Sequence, residues 1–428
     1  MSPEITKLSN GLTVITDTMP QLESAMLGVW VNTGGRNETR PVMGISHMLE
    51  HMAFKGTTTR SARDLAEEIE AVGGYLNAYT SREQTAFHAR VLKADVPLGV
   101  DLLADILINP TFAQDELERE RHVVLQEIGQ AADTPDDIIF DHLQSVLYPD
   151  QPMGWPILGL VETVSGFSQD HLRTYMGANY RAGAMTFVAS GAVAHDAMVA
   201  LVSEKFAQLT PGPVSTPLPA RYAGGDIRFE QDLEQAHIAY ALPGVSITDP
   251  DFYVSQVYVT ALGGGMSSRL FQEAREKRGL CYAISAFGQS SKDSGVIVVY
   301  TGTGEAEAGQ ISALIAGEME NLALGATDAE VARAKAQMKS SLLMGLERPG
   351  QRAEQIAGQM FSHGRVLTIE ELTARLDAVD AAAVRRFGER VMAASNPAIA
   401  AVGPVGELES HDRFTRRFGP GRTLKAAE

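Results

Sequence analysis

Residues 44–57 read Gly44-Ile45-Ser46-His47-Met48-Leu49-Glu50-His51-Met52-Ala53-Phe54-Lys55-Gly56-Thr57 and carry the pattern H-x-x-E-H. Ile45, Met48, Leu49 and Met52 recur at helical spacing, and no Pro or Gly interrupts before Gly56, so the stretch is read as a helix. His47 and His51 stand four residues apart. On a helix that offset brings both imidazoles to one face, with Cβ atoms roughly 5–6 Å apart, so that they can share one metal ion. Zinc suits such a pair. Glu50 lies about 60° round the helix from His47, where it addresses water rather than the metal, the position of a general base. The order reverses the H-E-x-x-H motif and is the inverzincin signature. A catalytic zinc still needs a third protein ligand.

The rest of the chain limits what can supply it. A single cysteine, Cys281, excludes an intrachain disulfide framework and a cysteine-based zinc site, and leaves His and carboxylates as donors. With 428 residues and 44% hydrophobic composition, at least two domains are expected. A formal net charge of −17 argues against non-specific nucleic-acid binding and makes cationic partners electrostatically plausible. Glu4, Lys7, Asp17 and Glu23 interrupt the first thirty residues, no later apolar run is long enough to cross a bilayer, and a cytoplasmic protein without membrane attachment is expected.

Before the motif, Leu12–Thr16 and Ala25–Thr33 read as strands. After it come an amphipathic helix over Ala62–Val72, a Gly73-Gly74 turn, and a hairpin of Tyr75-Leu76-Asn77-Ala78-Tyr79-Thr80 with Thr85–Leu92. Helices follow over Val96–Leu107 and Glu116–Ala131. On the second, Glu120 and Glu127 are seven residues apart and project from one side, beside an apolar stripe of Leu117, Val124 and Ile128. Taken alone, these glutamates would be surface charges. A helix is expected over Gln169–Met176 and a strand over Met185–Val193. Residues 207–226, with Pro211, Pro213, Pro217 and Pro219, have the composition of a linker. Beyond it the order repeats: a strand near Ala236–Leu242, helices over Phe252–Leu262 and Ser268–Lys277, strands Tyr282–Gly288 and Val296–Thr301, and a long helix from Glu305. The second copy reads Thr260-Ala261-Leu262-Gly263-Gly264-Gly265-Met266-Ser267-Ser268-Arg269 at the place assigned to the metal helix, with neither His nor Glu, so only one half can hold zinc.

The His47–Glu50–His51 set, Glu127 far along the chain, the segment from Gly73 to Thr80 and the degenerate second half together resemble the pitrilysin-type zinc metallopeptidases, close to bacterial relatives of the mitochondrial processing peptidase β-subunit. The resemblance implies an α+β fold of two homologous domains, each a mixed β-sheet backed by helices, facing each other across a chamber. Residues 1–206 would form the N-terminal zinc-binding domain, 207–226 the linker and 227–428 the C-terminal repeat. By the same resemblance His47, His51 and Glu127 hold one Zn2+ per chain, Glu50 is the catalytic base, and Glu120 is a supporting glutamate near the metal. Arg275 and Tyr282 resemble the family's Arg–Tyr pair, which reaches the scissile peptide from the non-zinc half. Asn77, Ala78, Tyr79 and Thr80 match the edge strand to which an extended substrate adds, a mode that holds many sequences through main-chain groups. Outside the resemblance Arg275 reads as a solvated helix charge, Tyr282 as a packing aromatic, and residues 77–80 as an ordinary hairpin strand.

The expected activity is zinc-dependent endopeptidase cleavage of extended or unfolded peptides, with basic peptides favoured if acidic groups line the chamber. One chain carries both the zinc set and the Arg–Tyr pair, so a homodimer is the expected assembly. Two rivals stay open: a non-catalytic peptide-binding or scaffold subunit of the same superfamily, and a zinc hydrolase of non-peptide amides.

Overall fold

The structure is a computed structural model that describes residues 3–421; the ends of the two halves read from the sequence, residues 1–2 and 422–428, lie outside it. In the first unit, strands β1 (Glu4–Lys7), β2 (Thr13–Thr18), β3 (Ser24–Val31), β4 (Tyr75–Thr80), β5 (Thr85–Leu92) and β6 (Met185–Gly191) form one sheet in the order β1-β2-β6-β3-β5-β4. The β2–β6 pair is parallel and the others are antiparallel. In the second unit, β7 (Gly225–Glu230), β8 (Ala236–Pro243), β9 (Cys281–Ser290), β10 (Gly295–Thr303) and β11 (Ala398–Gly403) form a sheet ordered β7-β11-β8-β10-β9. Here β7–β11 is the parallel pair. With β1 set aside, order and directions match strand for strand, so the repeat read from the sequence is a repeat of topology.

The helices that build the site follow from local sequence. Helix α1 (Ile45–Ala53) buries Ile45, Met48, Leu49 and Met52, each at most 1% exposed, and leaves its His47–Glu50–His51 face half-buried. Helix α2 (Ala62–Ala71) starts at a Ser61 cap that accepts from Asp64 N. Helix α3 (Val96–Ile108) buries Val100, Leu103 and Leu107 beneath the sheet. Helix α4 (Gln114–Ala132) turns Leu117, Glu120 and Val124 inward. Thus Glu120 shares the inward stripe that the sequence pattern assigns to apolar residues.

Each sheet is covered on its other face by a helix from the opposite half of the sequence. Residues 135–147, unassigned by periodicity, form α5 (Pro135–Leu147), whose Ile139, Leu143 and Leu147 pack on Ala239, Ala241, Val298 and Ala400 of the second sheet. The helix Pro349–His363 packs Ala353, Ile356 and Ala357 on Ile15, Trp30, Ala86 and Val188 of the first. The compact units are therefore discontinuous: 1–130, 155–218 and 344–366 against 131–154, 219–343 and 367–428. Contiguous halves of 1–206 and 227–428 miss this exchange. The reason is physical: β3 and β6 are nearly continuous apolar runs, which are stable only when both faces are covered.

Two element readings change. Instead of an α-helix over Ser268–Lys277, the chain winds as a π-helix over Phe271–Lys277. The element matching α1 in order, between the second and third strands of the repeat core, is the helix Phe252–Gly263, upstream of most of the Thr260–Arg269 stretch. It too lacks His and Glu.

Candidate active site

Helix α1 begins at Gly44, whose φ of +90° lies in the left-handed region; a Cβ there would fall 2.6 Å from Gly159 Cα and 2.7 Å from Leu158 O. Only glycine meets both conditions. The first free amides of the helix are taken by Glu38, which accepts from Gly44 N at 2.7 Å and Ser46 N at 2.8 Å. Tyr175 reaches the same end, its hydroxyl 2.7 Å from Ser46 Oγ. The metal-motif helix is thus fixed at its N-terminus by buried polar groups that no local pattern marks.

Across from it, α4 brings Glu120 and Glu127 to the two histidines. The donor atoms of His47, His51 and Glu127 all lie within 4.8 Å of one another. Glu127 Oε2 is 3.7 Å from His47 Nε2 and 3.6 Å from His51 Nε2. A tetrahedral ion with bonds of ~2.0–2.1 Å separates its ligand atoms by about 3.3–3.4 Å, and the two His–Glu127 separations come within a few tenths of an ångström of that. Glu127 Oε2 is buried and has no hydrogen-bond partner, an acceptor suited to a cation.

Glu120 Oε2 sits 2.9 Å from His51 Nδ1, and its Oε1 is 2.7 Å from Lys55 Nζ. With Nδ1 carrying the proton, His51 donates to Glu120 and turns Nε2 toward Glu127. Glu120 therefore bridges His51 and Lys55, which lies four residues beyond His51 and balances its charge. On the other side of the pair, Glu50 Oε2 accepts from Thr80 Oγ1 of β4 at 2.6 Å. Leu76, Ala78 and Thr80 alternate toward α1, with Ala78 in its core. β4 has one neighbour, β5, among the described strands, which makes it a sheet edge.

Protonation follows from these surroundings. Burial, and then the neighbouring His51, push His47 down to about 4, so it is neutral near pH 7, as a ligand must be. Burial pushes His51 down, but the Glu120 hydrogen bond and the charges of Glu127, Glu120 and Glu50 outweigh it and raise the pKa. Burial raises Glu50, opposed by the Thr80 hydrogen bond and His51, and reinforced by Glu127. A raised carboxyl pKa suits a group that must take and return a proton.

Arg275 and Tyr282 belong to the second unit, and the structure brings them to each other. The Arg275 guanidinium lies 4.7 Å above the centre of the Phe271 ring and 4.9 Å above that of Tyr282. Tyr282 is 76% exposed on β9, one of the two edge strands of its sheet. The wide π-helical turn sets Phe271 and Arg275 on one side.

Residues 13–160 match the family model described as "Insulinase (Peptidase family M16)", and residues 166–338 match "Peptidase M16 inactive domain". The chain belongs to the M16 peptidase family. A Rickettsia felis protein described as an uncharacterized zinc protease is 39% identical over 86% of this chain and 90% of its own length. An Arabidopsis thaliana protein named "Probable mitochondrial-processing peptidase subunit beta, mitochondrial" is 38% identical over 96% of this chain and 80% of its own. The solved structure of a protease from Helicobacter pylori superposes with a TM-score of 0.87 at 21% identity, covering 94% of this chain and 99% of that one, and so shares the fold. These M16 relatives make the chain a zinc-metalloprotease homologue with one degenerate half. Among the described residues, no helix is long and apolar enough to cross a membrane.

Glu38 gives a test of how α1 is anchored. Burial outweighs the amide hydrogen bonds from Ser46 and Gly44 and raises its carboxyl from 4.5 to about 7. Between these values the native state binds the proton more tightly than the unfolded chain, so Glu38 contributes stability below the lower value and loses it as pH rises through the upper. Melting curves of wild type and Glu38→Gln from about pH 5 to about pH 8 should show wild type losing up to about 3 kcal/mol relative to the variant. A pH-independent difference would contradict this account of the cap.

Proposed function

We propose that this chain is a zinc-dependent endopeptidase that hydrolyses extended or unfolded peptides held as an added strand along β4. The convergence of His47, His51 and Glu127 beside Glu50, with the β4 edge against the same helix, carries this reading. A zinc ion held by the three side chains would polarise the scissile carbonyl and lower the pKa of a water in its open position to about 7. Glu50 takes the proton from the attacking water and returns it to the leaving amine, while Thr80 holds its carboxylate in place. Glu120 keeps His51 in the tautomer that ligates, and Lys55 steadies Glu120. Arg275 positions the substrate main chain and Tyr282 donates to the developing oxyanion, the roles the resemblance implies; their stacking within the second unit supports treating them as a pair.

Peptide main-chain groups are alike in all sequences, so pairing along β4 selects conformation before side chain. The net charge of −17 supports a bias toward basic peptides. An open edge strand beside the ligands favours a peptide over a small amide. A scaffold subunit has no use for three intact ligands and a base, and the cytoplasm remains the proposed location.

Glu50→Gln should retain zinc at the wild-type ratio, one ion per chain, and lose at least about 10²-fold in kcat. Metal analysis beside peptide-cleavage rates checks both; unchanged cleavage would remove Glu50 from its role. Because one chain carries the ligand set and the Arg–Tyr pair, we infer an active homodimer. Sedimentation of the active species should give twice 46.0 kDa, and an active single chain would refute it.

A further inference from the structure

The helix Pro349–His363 does more than cover the first sheet. Its Glu354 accepts from Trp30 Nε1 at 2.9 Å through Oε2, and from Gln84 Nε2 at 2.9 Å through Oε1. The Tyr79 hydroxyl also donates to Oε1, and Gln84 Nε2 lies 2.7 Å from that hydroxyl. Trp30 is fully buried in β3, a central strand, whereas Tyr79 belongs to the edge strand β4 and Gln84 to the turn that follows it.

Side chains alternate along a strand. Tyr79 therefore points to the face covered by Glu354, while Thr80, the next residue, points to α1 and donates to Glu50 at 2.6 Å. β4 is tied on both faces by carboxylates, Glu50 in front and Glu354 behind. A strand with one neighbour lacks the second ladder that fixes interior strands, so these side-chain bonds decide its depth and twist. Burial and the Glu354 charge raise the Tyr79 pKa well above its ordinary value, which keeps the hydroxyl a donor.

The helix has a separate anchor. Arg352 pairs with Asp17 of β2, both side chains at most 9% exposed, and Arg352 also donates to Gln355 at 2.6 Å. Attachment of the helix and support of β4 are thus carried by different residues. Two of the three donors that Glu354 receives come from the edge strand and its turn, so its removal falls mainly there.

We propose that Glu354 is a positioning residue: through Tyr79 and Gln84 it holds β4 in the register that receives a substrate strand, and through Thr80 it sets the orientation of Glu50. This rests on the reading that peptides add along β4. An amide keeps one acceptor oxygen and puts an NH2 group toward either Trp30 or the Tyr79–Gln84 pair, so it breaks the bridge between the central strand and β4 without emptying the space.

The test compares kcat and KM for an unstructured peptide of about ten residues, which spans the β4 edge, with those for one of about four. Wild type should bind the longer peptide more tightly. Glu354→Gln and Tyr79→Phe should each raise KM for the longer peptide about tenfold and for the shorter less than about twofold, with zinc content unchanged. The double variant should be no worse than Glu354→Gln alone, because Tyr79→Phe removes part of the same bridge. Asp17→Asn, which breaks the other anchor, should lower the melting temperature and keep the length dependence.

Length dependence retained in both Glu354→Gln and Tyr79→Phe, or lost equally in Asp17→Asn, overturns the inference. A wild-type KM indifferent to length overturns the edge-strand reading and this inference with it. Should Glu354→Gln fail to fold, Tyr79→Phe decides alone.

Discussion

The contact between His51 and Glu120 joins side chains 69 residues apart at 2.9 Å, and the candidate metal centre depends on it. It requires α4 to lie with its inward stripe toward α1, which Leu117 and Val124, both 0% exposed, secure by packing in the same core as Met48 and Met52. Once that packing is made, Glu120 is buried beside His51, and Glu127, two turns on, arrives opposite both Nε2 atoms. A carboxylate 5% exposed is costly unless it is paired, and Glu120 is paired twice, with His51 and Lys55. The same residues that stabilise the junction orient the candidate ligands.

The fold repeats one supersecondary unit with its strand order intact, yet the copies have diverged where chemistry is concerned. The first keeps two His and a Glu on α1; the helix in the matching place, Phe252–Gly263, is apolar and packs into its core. Freed of ligands, the second unit presents a π-helical turn and the stacked Phe271–Arg275–Tyr282 group instead. The exchange of α5 and the helix Pro349–His363 lets each half of the sequence complete the other's sheet. Neither half can bury both faces of its strands alone.

Much of this was legible in the order of residues. The i, i+4 histidines, the 75–92 hairpin and the two-turn spacing of Glu120 and Glu127 all express local periodicities that the chain keeps on folding. What stayed hidden depends on distant partners. Glu38 is an ordinary acid until Gly44 and Ser46 offer it their amides. Lys55 ends a helix as many lysines do, and Thr80 looks like a strand former until Glu50 meets it. The helix Pro349–His363 is faint because two charged residues, Arg352 and Glu354, face the protein where periodicity asks for apolar ones. The π-helical winding over Phe271–Lys277 likewise leaves no trace in hydrophobic spacing.

Two imidazoles and one carboxylate gathering round a single divalent cation are the core of the proposed activity. X-ray absorption at the zinc edge of the purified, zinc-loaded protein measures this directly. It should give only nitrogen and oxygen neighbours at about 2.0–2.1 Å, with the outer-shell scattering of two imidazole rings. Loss of half that imidazole signal in His51→Ala would agree. A spectrum without imidazole scattering, or one unchanged by that substitution, would contradict it.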